Sequence, residues 1–134
     1  MALHPEKGGL SGENFHNNSS LTLMASCFDT KVLLTGDIES RAERRIAGTG
    51  DIECDILKVS HHGSSTSSSK DFLIAANPTY GVISAGEDNA YGHPHFEVLE
   101  RLEDEDIRVY RTDTDGSITF EIGEEGIKNI ATEK

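Results

Sequence analysis

The sequence predicts an α/β fold, a mixed sheet with helices mainly on one face, and three observations carry that reading. Short apolar runs alternate with amphipathic stretches along the 134 residues, the pattern of strands joined through helices. The segments Ile56-Leu57-Lys58-Val59 and Val82-Ile83 are nearly continuously apolar, as strands buried on both sides are. The links between elements are short, and three helices on short links most easily share one sheet face. A chain of this length forms one domain.

Residues 1–16 show no periodicity and carry Gly8, Gly9 and Gly12, so they read as a flexible lead-in before an ordered domain spanning 17–122. Leu21, Leu23, Ala25 and Cys27 alternate with small or polar residues, and Phe28-Asp29-Thr30-Lys31 turns the chain into Val32-Leu33-Leu34, giving a hairpin. The stretch 39–47 is acidic early, arginine-rich late and followed by Gly48, the marks of a helix. A strand over 54–59 leads into a serine-rich loop. The next helix, 68–76, has a serine cap and stops before Pro78. A strand over 80–85 follows, and then a helix over 95–103 with Phe96, Val98, Leu99 and Leu102 as its stripe and Pro94 at its first turn. Strands at 107–110 and 117–122 flank the turn Asp113-Thr114-Asp115-Gly116, and 123–134 reads as a frayed acidic tail. The second sheet face needs cover that these elements do not supply. A second sheet or a second copy of the chain, meeting it near Val32 and Leu34, would provide it.

Composition sets limits on function. With 24 acidic against 12 basic residues the net charge is -12, which repels polyanions at long range. Nucleic acid would therefore have to be held through a metal or through charges supplied elsewhere. No apolar run approaches the ~18 residues needed to cross a bilayer, and the start lacks the features of a signal peptide; a soluble domain is expected. Cys27 and Cys54 lie in separate strands without zinc or redox spacing and read as small buried thiols.

Chemistry concentrates where strands end. Ser60-His61-His62-Gly63-Ser64 places two adjacent imidazoles at the exit of an apolar strand. Thr35-Gly36-Asp37 ends another strand in a carboxylate, and Asn89-Ala90-Tyr91-Gly92-His93-Pro94-His95 follows a third. A hydrolytic divalent metal takes neutral imidazoles and a carboxylate and leaves one position for water. Asp37, His61, His62 and His93 supply those groups. In extended backbone adjacent side chains point oppositely, so His61 and His62 can share one ion only with a turn between them. The bland alternatives are a helix N-cap for Asp37, a structural loop for the histidines, and a linker, a cap or an anion-binding loop for the serines.

The segments Asn17-Asn18-Ser19-Ser20-Leu21, Leu33-Leu34-Thr35-Gly36-Asp37-Ile38-Glu39, Asp55-Ile56-Leu57-Lys58-Val59-Ser60-His61-His62-Gly63-Ser64, Asn89-Ala90-Tyr91-Gly92-His93-Pro94 and Tyr110-Arg111-Thr112-Asp113 occur in the order found in one family. Over 17–122 the chain resembles the second half of the metallo-β-lactamase-like domain of the ComEC family, the bacterial DNA-uptake channel of natural competence. The resemblance implies half of an αββα sandwich with one or two zinc or manganese ions at the sheet edge. It implies Asp37 as bridging carboxylate, His62 and His93 as metal ligands, His61 and His93 as catalytic or phosphate-contacting groups, and Asn18, Ser64, Asn89 and Tyr91 as substrate or loop support. Asn18 stands where many relatives carry histidine. The His-x-His-x-Asp-His-like segment of the family's first half does not occur in this sequence, so weak metal binding and little activity are expected of this chain alone. The implied function is metal-dependent phosphodiester hydrolysis during DNA internalisation, with the parent protein in the bacterial inner or plasma membrane. The implied partners are DNA or another phosphodiester, the first half of the domain and the membrane channel. A free-standing phosphoesterase of the same superfamily and a non-catalytic module binding DNA or a partner are the alternatives.

Overall fold

The computed structural model describes residues 1–5, 12 and 14–134. Six strands form one sheet: β1 (Ala2–His4), β2 (Thr22–Cys27), β3 (Thr30–Leu34), β4 (Ile56–Lys58), β5 (Tyr80–Ile83) and β6 (Arg108–Arg111), in the spatial order of their numbering. The first two junctions are antiparallel and the other three parallel, so the sheet is mixed as expected. Each parallel junction is bridged by a helix: α2 (Ser40–Ala47), α3 (Lys70–Ala76) and α4 (Phe96–Asp104). Two single turns, α1 (Phe15–Asn18) and α5 (Thr112–Asp115), and the hairpin β7 (Ser117–Gly123) with β8 (Gly126–Glu133) complete the chain.

Strand register explains which face the helices take. Leu33 pairs with Met24 and Leu57, and Leu57 with Gly81, so these residues share one face. They merge into one core with Ala42 and Ile46 of α2, Phe72, Leu73 and Ala76 of α3, and Val98 and Leu102 of α4. The helices therefore do share a face. Gly81 makes room for this packing, since a Cβ there would lie 3.2 Å from Ile107 and 3.4 Å from Val59.

The opposite face carries Leu23, Val32, Leu34, Val82 and Tyr110, with Tyr80 one step along its strand. The hairpin β7–β8 covers one end of it. Phe120 packs edge-on against Tyr80 and Tyr110 with centroids 5.6 and 5.9 Å apart. The other end stays open, and Leu34 is 41% exposed.

Several expectations are corrected. Ala2–His4 of the presumed lead-in form an edge strand, bonded through the Met1 carbonyl to the Met24 amide, and His4 is buried with its Nε2 donating to the Asn18 carbonyl at 2.6 Å. Gly8, Gly9 and the rest of 6–11 lie outside the described residues. The tail is not frayed, because Gly126–Glu133 pairs along the length of β7. The strand at 117–122 leaves the main sheet instead of flanking a turn beside β6, since Thr112–Asp115 winds into a helical turn whose Asp115 accepts the Arg111 amide. Of the two thiols, only Cys54 is buried, and burial pushes it up to about 12; Cys27 is exposed.

The serine loop is organised by groups with no serine signature. No side chain of Ser69 caps α3; the fully buried Glu43 of α2 accepts the Ser68 and Ser69 amides at 2.5 and 2.9 Å instead. Arg101 of α4 holds the loop from the other side, donating to the Ser65, Ser67 and Ser68 carbonyls. Glu43 thus stands in for the serine cap, and the amides it takes are not offered to an anion.

Burial drives the Glu43 carboxyl above its ordinary 4.5, against the lowering pull of the Ser69 and Ser68 amides. A raised carboxyl binds its proton more tightly folded than unfolded. Its contribution is therefore fully present below pH 4.5 and lost as pH rises through the folded value. Urea melts between pH 4 and 7 should show the parent losing stability relative to Glu43→Gln as pH rises; a parallel or inverse trend would contradict this account.

Candidate metal and phosphate site

The candidate side chains gather at the carboxyl ends of β3, β4 and β5, the edge at which α/β sheets bind ligands. β3 runs into Thr35-Gly36-Asp37. Gly36 has φ +60° and no room for a Cβ, which would meet Ser20 Cβ at 2.8 Å; Ser20 Oγ in turn accepts the Asp37 amide at 3.2 Å. Asp37 is thereby fixed at the exit of its strand, and it does not serve as the cap of α2, a position that Glu39 occupies.

β4 runs into the turn Ser60–Gly63, where His61 (φ 49°), His62 (φ 56°) and Gly63 (φ 83°) are successively left-handed. Such backbone costs a non-glycine residue roughly 1–3 kcal/mol and persists only where its surroundings over-determine it. Here they do. The His61 amide donates to the Gly36 carbonyl at 3.0 Å, and Gly63 accepts from the His95 amide at 2.9 Å. A Cβ on Gly63 would lie 2.6 Å from Pro94 Cβ. This is the turn between the two histidines that a shared site requires, and it brings both imidazoles to the same edge.

The β5–α4 loop completes the cluster. Asn89 closes it through its side chain, accepting the His93 amide at 2.8 Å and donating to the His93 carbonyl at 2.6 Å. His93 then lies 5.7 Å from the His61 ring, 6.5 Å from the His62 ring and 4.8 Å from the His95 ring. The exposed Tyr91 stacks on its outer side at 5.7 Å. Desolvation and the neighbouring His95, His61 and His62 hold His93 below its ordinary 6.5, with Asp37 pulling weakly the other way. A cavity of about 420 Å³ opens beside His62 and His93, lined also by Ser84, Asn89 and Tyr91.

Two contacts define the electrostatics. His62 Nδ1 donates to the Ser84 carbonyl at 2.6 Å, which leaves its Nε2 facing Asp37 Oδ1 at 3.3 Å. His61 Nδ1 lies 3.6 Å from Glu39 Oε1. Asp37 and His62 are both close to half exposed, whereas the Glu39 side chain is 10% exposed. Among the described residues no group of three or more His, Cys, Asp or Glu is placed to hold a metal ion. The chain supplies a pair of donors with two further imidazoles beside it.

No family model matches the chain. It is 42% identical over 78% of its length to ComE operon protein 3 of Bacillus subtilis. It is 38% identical over 84% of its length to Competence protein ComA of Neisseria gonorrhoeae, and 38% identical over 76% to Recombination protein 2 of Haemophilus influenzae. The chain belongs to the ComEC family. This ComEC-family chain spans 14%, 16% and 13% of those three relatives, and no helix among its described residues is long and apolar enough to cross a membrane.

The sequence-predicted residues of this ComEC-family chain fall into three places. Asp37, His61, His62 and His93 converge, with Asn89 and Tyr91 in the same loop cluster. Ser64 is buried in the serine loop, its hydroxyl on Thr66 at 3.0 Å. Asn18 is buried beneath α2, where its Oδ1 accepts the Glu39 amide at 3.1 Å. Sequence reasoning missed Glu39, His95 and Arg101. His95 was legible as a second histidine two residues beyond His93; its Nδ1 accepts the Ser65 amide at 2.9 Å. Glu39 was legible as the second carboxylate of Asp37-Ile38-Glu39, around a fully buried Ile38.

Gly63 is the position where the loops depend on a missing side chain. Gly63→Ala meets both left-handed strain and the Pro94 clash, whereas Gly92→Ala in the neighbouring loop (φ +70°, nothing within 4 Å of a Cβ) meets strain alone. Gly92→Ala should cost roughly 1 kcal/mol and Gly63→Ala several-fold more, measured by chemical denaturation; equal losses would show that the contact does not lock the loops.

Proposed function

We propose that this chain carries one half of a metal-dependent phosphodiester hydrolase centre in a ComEC-family protein of competence, with DNA as its substrate. The Asp37–His62 pair carries the reading. In a neutral ring the one proton lies on Nδ1, toward the Ser84 carbonyl, and the Nε2 lone pair then faces a carboxylate oxygen at 3.3 Å. Two acceptors at that distance repel unless a cation lies between them. Donors about 2.0–2.2 Å from one ion are about 3–3.5 Å apart at tetrahedral or octahedral angles, so the pair fits a zinc or manganese ion. The carbonyl partner of Nδ1 is also the usual outer support of a metal-bound histidine.

Asp37 and His62 would hold the ion, with His61 or His93 as further ligands. When bound, such an ion lowers the pKa of a coordinated water and stabilises charge on phosphate. The chain's own residues do the rest: His93, held by Asn89, lines the approach and can donate to a phosphate oxygen, and His61 stands beside it. The remaining ligands would come from parts of the protein that this chain does not match, since the relatives are several times longer. The names of two of those relatives support competence, and we place the intact protein at the bacterial inner membrane.

A non-catalytic module is the second reading, favoured by the lack of a third clustered ligand among the described residues and by the net charge of -12. In that case the Asp37–His62 pair is a simple ion pair with protonated imidazole.

Calorimetry separates the two. This chain alone should bind Zn²⁺ or Mn²⁺ weakly and lose even that in Asp37→Ala. A full-length ComEC-family protein containing this segment should bind stoichiometrically and hydrolyse DNA, and Asp37→Ala or His62→Ala should each abolish turnover. A full-length protein free of metal, or variants with unchanged turnover, would leave the non-catalytic module.

A further inference from the structure

Glu39 lies outside the donor pair yet is one of the most elaborately held side chains of the chain. It is buried, and both of its carboxylate oxygens face donors: Asn14 Nδ2 reaches Oε2 at 2.6 Å and Asn17 Nδ2 reaches Oε1 at 3.3 Å. Its backbone amide is taken by Asn18 Oδ1 at 3.1 Å, and Asn18 is itself pinned through its carbonyl to the buried His4. A turn of three asparagines and an edge-strand histidine thus aims one carboxylate. What it is aimed at is His61 Nδ1, 3.6 Å from Oε1.

That nitrogen is buried and has no hydrogen-bond partner. The separation is slightly beyond a full hydrogen bond, but the chemistry permits one arrangement only. An ionised carboxylate is purely an acceptor, and a lone pair on Nδ1 would face it with repulsion in a site sealed from water. A proton on Nδ1 turns the same contact into attraction.

We propose that Glu39 is a positioning residue that fixes His61 as the Nδ1–H tautomer, so that Nε2 carries the lone pair. Nδ1 is the sealed nitrogen of a side chain that is 22% exposed overall. The ring that bears it lies 5.7 Å from His93. His61 and His62 then share one tautomer enforced by two different acceptors, Glu39 and the Ser84 carbonyl. Both offer an acceptor nitrogen to the site. Neutral His61 is accordingly a metal ligand or a proton acceptor, and not the N–H donor to a phosphate oxygen. Only this use of the lone pair rests on the hydrolase reading; the tautomer does not.

The test is long-range ¹H–¹⁵N correlation of the imidazole nitrogens in the 134-residue chain, at a pH where the rings are neutral. His61 should show the Nδ1–H pattern. In Glu39→Gln the carboxamide can turn an N–H toward Nδ1, so His61 should shift to Nε2–H while His62, held by a backbone carbonyl, stays Nδ1–H. An Nε2–H pattern for His61 in the parent chain overturns the proposal and needs no variant to fold. So does a His61 tautomer unmoved by Glu39→Gln. In a full-length ComEC-family protein that hydrolyses DNA, Glu39→Gln should lower kcat about 10–100-fold with KM within about twofold. If no hydrolysis is found while the tautomer is as stated, the hydrolase reading fails and the role of Glu39 stands.

Discussion

Gly63 and Pro94 touch where no side chain could stand between them, and the site is arranged around that contact. It forces the strand exit after Val59 to meet the loop before α4 at van der Waals distance. Once they meet, the Gly63 carbonyl takes the His95 amide and the His95 ring takes the Ser65 amide. The left-handed run through His61 and His62 follows, because the chain must reverse within three residues to satisfy those bonds. Two adjacent histidines facing one edge are thus a by-product of one packing constraint and need no force of their own.

Three carboxylates within seven residues of each other, Asp37, Glu39 and Glu43, divide the polar work without duplicating it. Asp37 stays half exposed and faces His62 Nε2. Glu39 is sequestered by amide donors and faces His61. Glu43 is sealed beneath the serine loop and replaces the cap that the serines do not provide. Burying a carboxylate costs several kcal/mol unless donors surround it, and each buried one is so surrounded. The large negative charge of the chain is carried mostly elsewhere, on solvent-facing positions where it costs little.

Much of this was legible in the sequence. The alternation of Leu21, Leu23, Ala25 and Cys27 and the apolar runs of β4 and β5 located the sheet, although in β2 the core face is the other phase, that of Thr22 and Met24, with Leu21, Ala25 and Cys27 exposed. The residues ending those strands located the site, because an α/β sheet leaves its loops at one edge. What was not legible was pairing that depends on main-chain atoms and remote partners. The Ser84 carbonyl has no signature, so the orientation of His62 could not be read. The same holds for Arg101, which looks like a solvated helix residue and instead grips three loop carbonyls 33–36 residues earlier. β8 escaped the reading because none of its residues Gly126-Ile127-Lys128-Asn129-Ile130 is fully buried on a two-stranded ribbon, and charge there is no sign of disorder.

The clamp of Glu43 and Arg101 on the serine loop bears on tempo. A loop whose amides and carbonyls are already spoken for has no conformational search to finish when a partner arrives. At the proposed site, encounter and not ordering of the loop would then set how fast a ligand is captured. The loop also contributes no entropic toll that a weakly held substrate would have to overcome. Rigidity of this kind keeps the neighbouring histidine turn to a single contour, fixed by the fold before anything meets it.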